Sequence, residues 1–289
     1  MANNITKFKK YIDLLDEVYK VNAKTSVLDG DTTLVRAGAN ADEIIIPKMT
    51  LDGLADYSRN SGYVNGDVTL TNETVKFNYD RGRAFTVDAM DNEETAGVAF
   101  GKLSSEFIRT KVVPEVDAFR LATYAGISGI SSATGTLTSG DDALTAIVTA
   151  ISKMDDDEVS EEGRVLFITP TLYNQILNVD TYKSKEIMSR FSSVVTVPQS
   201  RFYTAIELAD GTTDGEEAGG FTKSADAKDI NFMIVQKGAI LQYPKHVVNK
   251  VVSPEENQTS DGWKFFYRSY GLADVYENKV AGIYLHHKA

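Results

Sequence analysis

The sequence contains no cysteine, and that one absence removes disulfides, thiol nucleophiles and thiolate metal sites together. Histidine is nearly as scarce. His246, His286 and His287 are the whole supply, and the last two stand beside the C-terminus, where chains fray. A catalytic triad or a multi-histidine metal centre would have to be built from very little. No run of about 18 apolar residues occurs, so no transmembrane helix is expected. The opening "MANNITKFKKYIDLLDEVYK" lacks the apolar stretch of a signal peptide. Neither "GxxxxGK[ST]" nor "GxGxxG" is present, so no phosphate-cradling loop announces a nucleotide cofactor, and no cofactor is expected. Positive charge is also in deficit. The net charge of −11 argues against a chain held to nucleic acid by phosphate contacts, and an anionic membrane would repel it.

The 289 residues are 42% hydrophobic and 25% charged, ordinary figures for a globular protein of one large or two modest domains. Ile5, Phe8, Ile12, Leu15 and Tyr19 follow three- and four-residue spacing, which predicts an amphipathic helix that packs on its own domain or docks on a partner subunit. Residues 21–43 are polar and turn-rich. "IIIPK" reads as a strand stopped by Pro47, and "LDGLADYSRNSGYVNGD" as a loop tip. "VTLTNETVKFNYDRGRAFTVDAM" reads as the returning strand, with Val75, Phe77 and Tyr79, then Phe85, Val87 and Ala89, at one parity. Strand, tip and return make one long hairpin arm. A lone two-stranded hairpin is marginal in water, so this arm needs a surface to lie on.

From Asp91 the period changes from 2 to 3.6. Phe100, Leu103, Phe107, Val112, Val116 and Phe119 mark one face of a helix of about 33 residues, roughly 50 Å long. Gly126 is its expected stop, and Pro114 predicts a kink or break near residue 110. "SGISSATGTLTSG" reads as a flexible connector. A compact region follows: a helix over "DDALTAIVTAISKMDDD" capped by Asp141 or Asp142, the strand "RVLFITP", helices at "TPTLYNQILN" and "KEIMSRFSSV", a strand at "FYTAIELA", an acidic loop, and strands in "INFMIVQKGAILQYP". The aromatic end, "WKFFYRSYGLADVYENKVAGIYLH", is again strand-like. Strands and helices mix without strict alternation, so the fold class is α+β.

Three clusters invite a chemical reading. "DRGRAFTVDAMDNEET", residues 80–95, could be an acid/base site, a metal site or a structural joint. The joint explains most: Asp91 serves as N-cap, Glu94 completes a capping-box pattern, and Asp91, Glu93 and Glu94 sit at the positive end of the helix dipole. Gly82 between two arginines suggests a bulge or a close approach by another backbone. Arg81 and Arg83 share a strand face and are expected to pair with carboxylates of a neighbour. "MDDDEVSEE", residues 154–162, lacks the alternation and glycine of a calcium loop and reads as a solvated helix end. "DGTTDGEE" at 210–217 is too short for one. Paired acids could serve a glycosidase, but any acidic chain offers such pairs. Trp263, Phe265 and Tyr267 share a strand face, where core packing explains them better than a base-stacking platform.

The order of these pieces resembles the major capsid proteins of tailed bacteriophages, the Johnson fold. "GDVTLTNETVKFNYDRGRAFTVDAMDNEETAGVAFGKLSSEFIRTKVVPEVDAFR", "LFITPTLYNQIL" and "YGLADVYENKVAGIYLH" carry the resemblance, which in this order covers nearly the whole chain. It implies an N-terminal helix and arm at 1–43 and an extended loop at 44–90 that lies across an adjacent subunit. It also implies a peripheral domain at 91–135 and 246–289 around a spine helix, and an axial domain at 136–245 meeting others around fivefold and sixfold axes. The implied function is a structural shell, not an enzyme. The protein would self-assemble as pentamers and hexamers into an icosahedral virion head made in the bacterial cytoplasm, enclosing double-stranded DNA without reading its sequence. An encapsulin-like compartment is the alternative, and a carboxylate-dependent hydrolase the remote one. Arg59, Tyr63, Arg81, Arg83, Asp88, Glu93 and Glu94 are the expected inter-subunit residues. The arm begins about 40 residues from Met1, too few for a cleaved scaffolding segment, so a separate scaffolding protein and a portal are expected partners. The tip, 51–66, holds Arg59 but no lysine, and Lys48 and Lys76 lie on its strands, so a lysine cross-link is not expected.

Overall fold

The computed structural model describes residues 23–30, 36–37, 43–60, 62–94, 98–179 and 181–289, without the side chains of 36–37, 47, 93–94 and 98–102. The amphipathic helix expected at the N-terminus lies outside the described residues. The arm is a small antiparallel sheet of β1 (Arg36–Ala37), β2 (Glu43–Leu51) and β3 (Val68–Lys76) in that order. β2 and β3 pair from Glu43↔Lys76 to Leu51↔Val68, and residues 52–67 form the tip. Pro47 does not stop β2. Among the described residues β1 pairs with Ile44 and Ile45 of β2.

The returning strand is two strands. β3 ends at Lys76, and β4 (Tyr79–Asp88) joins a different sheet. Asn78 makes the crossing: its Nδ2 donates to the Ala273 carbonyl at 2.7 Å and its Oδ1 accepts from the Ala273 N–H at 3.1 Å. A side-chain amide thereby stands in for a backbone pair at the point where the chain changes sheets.

The long helix changes hydrogen-bonding pattern at a π-turn, Ile108–Val112, which lies between α2 (Val98–Phe107) and α3 (Val113–Ala125); α1 (Ala89–Glu94) comes before them. Asp91 is not the cap. The helix begins at Ala89, three residues earlier than expected, and the Asp88 carboxylate accepts the Met90 N–H at 2.9 Å. Asp91 lies inside the first turn, where its charge still faces the positive end of the dipole. Pro114 stands at the start of α3. It has no N–H for the Thr110 carbonyl, and its ring crowds that carbonyl. The chain answers with the π-turn, in which the Val113 N–H reaches back five residues to the Ile108 carbonyl.

The remaining elements are β5 (Ser131–Thr134), α4 (Gly140–Asp156), β6 (Arg164–Ile168), α5 (Pro170–Val179), α6 (Tyr182–Ser189), β7 (Ser193–Thr196), β8 (Ile206–Leu208), β9 (Phe221–Lys223), β10 (Ile230–Gln236), β11 (Ile240–Val252), β12 (Gly262–Val275) and β13 (Ile283–His287). A five-stranded mixed sheet has the order β5-β13-β10-β6-β7, and an antiparallel sheet the order β11-β12-β4. The stretch read as a connector supplies β5, which pairs with β13. The helix expected through "KEIMSRFSSV" ends at Ser189, and β7 follows. "FYTAIELA" is a strand only at Ile206–Leu208. Ser139, not an aspartate, caps α4, and Asp142 completes its capping box. The C-terminal strands divide: β12 builds the three-stranded sheet, while β13 enters the five-stranded one.

The central strands β6, β10 and β13 are apolar on both faces because both faces are covered. Leu166, Ile168, Phe232, Ile234 and Tyr284 pack with α4, α5 and α6. Val165, Phe167, Met233, Val235 and Leu285 pack with Leu121 and Tyr124 of α3. The other end of the same helical run, Ile108 to Val116, packs with Tyr79, Phe265 and Tyr267 of the three-stranded sheet. One helix therefore bridges the two sheets, and Trp263, Phe265 and Tyr267 are core or core-edge residues.

Candidate functional site

Three features outside ordinary core packing stand out: the bare arm, a buried polar knot on α3, and a cavity at the root of β4. Among the described residues fourteen large apolar side chains are strongly exposed, and eight of them lie between Met49 and Leu70. Leu54 is fully exposed and Tyr63 is 87% exposed. The tip has internal order. Asp52 accepts the Asp67 N–H at 2.7 Å, Ser58 and Gly62 form a bridge, and the Tyr57 and Tyr63 rings lie 4.8 Å apart. Arg59 is exposed at this tip. At the root, Ile44 and Val75 are buried against Leu241, Tyr243 and Leu272, and Lys48 pairs with Glu277 at 2.9 Å. The arm is therefore fixed at one end and bare along the rest.

The polar knot holds the first described residues against α3. Asp117 is fully buried and accepts from the Lys24 N–H at 3.0 Å, the Thr25 N–H at 2.9 Å, the Thr25 hydroxyl at 2.8 Å and Arg201 at 3.0 Å. Arg120 donates to the Thr25 hydroxyl at 3.0 Å. Gln242 donates to the Thr25 carbonyl at 2.8 Å and accepts from the Tyr124 hydroxyl at 2.7 Å. Burial pushes the Tyr124 hydroxyl well above the usual phenol range, so it stays protonated and donating. The sequence reading missed this knot. Its one signal is that Asp117 and Arg120 share a helical stripe with Val113, Leu121 and Tyr124, where apolar residues belong.

The cavity, of about 610 Å³, lies between β4, the run from α2 to α3, and the loop 209–220. Arg81 and Arg83 both line it, as their shared strand face predicts. Within the chain they bond groups of their own subunit. Arg81 meets Glu115 at 2.8 Å and the Gly220 carbonyl at 3.3 Å, and Arg83 donates to the Glu217 carbonyl at 2.8 Å. Tyr79 donates to Glu115 at 3.2 Å, and burial together with the Glu115 charge pushes its hydroxyl far above the usual range. Gly82 does answer to a close approach: a Cβ there would stand 2.8 Å from the Tyr267 carbonyl oxygen of β12. Asp88 caps α1 at the far end of the strand, and the side chains of Glu93 and Glu94 lie outside the described residues.

The acidic runs are committed to structure. Asp155, expected to be solvated, holds the buried Arg164 at 2.7 Å and Arg190 at 2.9 Å. Its burial opposes ionisation, but the Arg164 and Arg190 guanidiniums outweigh that and keep its carboxyl below the usual range. Asp210 accepts the Thr213 N–H at 2.8 Å, the Thr212 N–H at 2.7 Å and the Thr213 hydroxyl at 2.7 Å, which together lower its pKa. Among the described residues no three His, Asp or Glu side chains converge as metal ligands, and no helix is long and apolar enough to cross a membrane.

No protein-family profile matches the chain, and no curated protein does. Solved structures do. A structure from Gordonia phage Cozz aligns over 93% of this chain and 87% of its own, at TM-score 0.60 and 11% identity. The virus-like particle of Pyrococcus furiosus aligns over 98% and 100%, at TM-score 0.58 and 10% identity. The capsid of the Myoviridae phage XM1 aligns over 90% and 92%, at TM-score 0.52 and 13% identity. The chain has the fold of the tailed-phage major capsid proteins. The capsid fold is thus reached by a sequence that shares about one residue in nine with these structures, through the arrangement of elements and not through a motif. Within it the arm carries most of the exposed large apolar side chains among the described residues.

Proposed function

We propose that the protein is a major capsid protein that self-assembles into the icosahedral head shell of a tailed phage around double-stranded DNA. The observation that carries this reading is the arm: a rooted hairpin with eight exposed apolar side chains, in a fold shared end to end with capsid structures. Laid across an adjacent subunit, those side chains would leave water, a gross gain on the order of 10 kcal/mol at roughly 1–2 kcal/mol each. That is of the size that association costs in lost freedom, so each contact is reversible alone and stable in a closed ring. Arg59 and Tyr63 at the tip are the inter-subunit residues, and Glu93 and Glu94 remain candidates. Arg81, Arg83 and Asp88 keep each subunit's own strand, loop and helix together.

The peripheral role falls to the β11-β12-β4 sheet with α1–α3. The axial role falls to the five-stranded sheet with α4–α6, and this takes in β5 and β13 from either side of the 136–245 span. The subunit acts in the virion, is assembled in the host cytoplasm with a separate scaffolding protein and a portal, and performs no catalysis. A second reading, an encapsulin-like compartment, draws on the end-to-end match to the Pyrococcus furiosus virus-like particle. Negative-stain electron microscopy of the protein, expressed alone and with its candidate scaffold, tests both. Closed shells tens of nanometres across are expected, and their contents, DNA or cargo protein, separate phage head from compartment. A uniform small oligomer under both conditions overturns the shell.

A further inference from the structure

The cavity at the root of β4 has the attributes of a ligand site that shell formation does not call for. Its volume, about 610 Å³, is that of pockets that enclose drug-sized molecules. Its walls are apolar: Phe85 and Phe107, 4.8 Å apart and edge to face, with Leu103 and Val112 beside them. Its charges are unevenly paired. Glu115 is neutralised by Arg81, and Glu106 by Arg109 at 2.7 Å. Asp210 is spent on the amides of its own loop. Lys111 and Arg83 are left against that one satisfied carboxylate. Arg83 meets only a neutral acceptor, the Glu217 carbonyl, and among the described residues no carboxylate pairs with Lys111. The lining is neutral in sum, Arg81, Arg83 and Lys111 standing against Glu106, Glu115 and Asp210, but the three carboxylates are engaged by Arg81, by Arg109 and by loop amides, which leaves Lys111 and Arg83 as its charges without a carboxylate partner among the described residues.

We infer that this cavity binds an amphipathic monoanion, with an aromatic or short alkyl body between Phe85, Leu103 and Phe107 and a carboxylate or sulfonate facing Lys111 and Arg83. The roof is the loop 209–220, held down by Arg81 and Arg83. Gly211, at φ +78°, leaves room for the Arg83 guanidinium, since a Cβ there would lie 2.8 Å from it. A bound anion would add its own contacts between strand, helix and loop.

Fluorescence titration of the purified, unassembled protein tests this with two probes, the anionic anilinonaphthalene sulfonate and the neutral phenylnaphthylamine. Saturable, single-site binding of the sulfonate is expected, weakening as salt rises. Lys111→Glu should weaken the sulfonate by about fivefold or more while leaving the neutral probe alone. Thr110→Trp, which places a ring at the cavity mouth, should abolish both. Lys111 is at the surface, so its variant keeps the test sound should the tryptophan variant not fold. Absence of saturable binding, or sulfonate affinity unchanged by Lys111→Glu, overturns the inference. So does loss of binding with rising protein concentration in step with oligomer formation, because the cavity would then be filled by a second copy.

Discussion

Removing the Asp117 carboxylate should untie the start of the described chain from α3. Asp117→Ala deletes the acceptor of four hydrogen bonds and strands the Arg201 guanidinium and the Thr25 N–H away from water. Breaking a buried charged pair by removing one partner costs about 3–5 kcal/mol. For a chain of this size that corresponds to a fall in melting temperature of about 5–8 °C. Urea unfolding followed by the fluorescence of Trp263 gives the global number, since this single tryptophan packs at the edge of the helix–sheet core. Limited trypsin digestion gives the local one. The bond after Lys24 adjoins two amides held by Asp117, so its cleavage should accelerate well beyond what the global loss explains. Asp117→Asn keeps one acceptor oxygen and should lose less than the alanine variant. A loss within about 0.5 kcal/mol, typical of an unengaged surface site, with unchanged cleavage after Lys24, would refute the assignment of the knot as the anchor.

Deleting residues 52–66 should leave a folded monomer, with an unchanged far-ultraviolet spectrum, that forms no shells in electron micrographs; shells from the deletion would remove the arm from assembly. Gly82→Ala should destabilise by about 1–3 kcal/mol, because its methyl meets the Tyr267 carbonyl oxygen and β4 must shift from β12; a neutral result in urea titration would show the strands free to part. The depressed Asp155 carboxyl contributes stability that is complete above its unfolded value, about 3.9. That contribution is lost as pH falls through the lower folded value. Asp155→Asn should therefore be less stable at neutral pH, and its deficit should narrow below about pH 4. A deficit that stays constant down to pH 2 would mean that the Arg164 and Arg190 contacts are not what the carboxylate supplies.

What was legible in the sequence follows the range of the interactions concerned. The hairpin, the change of period near residue 90 and the irregularity before Pro114 rest on neighbours a few residues apart, and each is where the pattern places it. The errors fall where a local preference met a distant partner. "SSAT" has no strand signal to distinguish it from a connector, yet it is β5 because Tyr284 to His287 of β13 offers it an edge. β3 and β4 keep one parity on paper, but Asn78 and the β12 edge turn the second into another sheet. Asp88 takes the cap from Asp91 because β4 follows its partner β12 as far as the Asp88↔Gly262 pair, and α1 begins at once after it.

The same division explains why the exposed arm could be read and the polar knot could not. Exposed apolar residues on a hairpin violate a rule that sequence alone can check, since such a hairpin cannot be stable uncovered. Asp117 violates a rule too, being a carboxylate on an apolar stripe, but its compensation comes from Lys24, Thr25 and Arg201, some 90 residues before it and 84 after it. No spacing pattern links those positions. Arg81 and Arg83 were placed on one face, but their in-chain partners escaped the sequence for the same reason, since Glu115 and the 217–220 carbonyls come to them only through the fold. A charge left over after such in-chain partners are assigned is then more telling than a charge in the sequence. By that measure Arg59 at the tip of the arm and Lys111 at the mouth of the β4 cavity are the charges on which the two proposals made above turn.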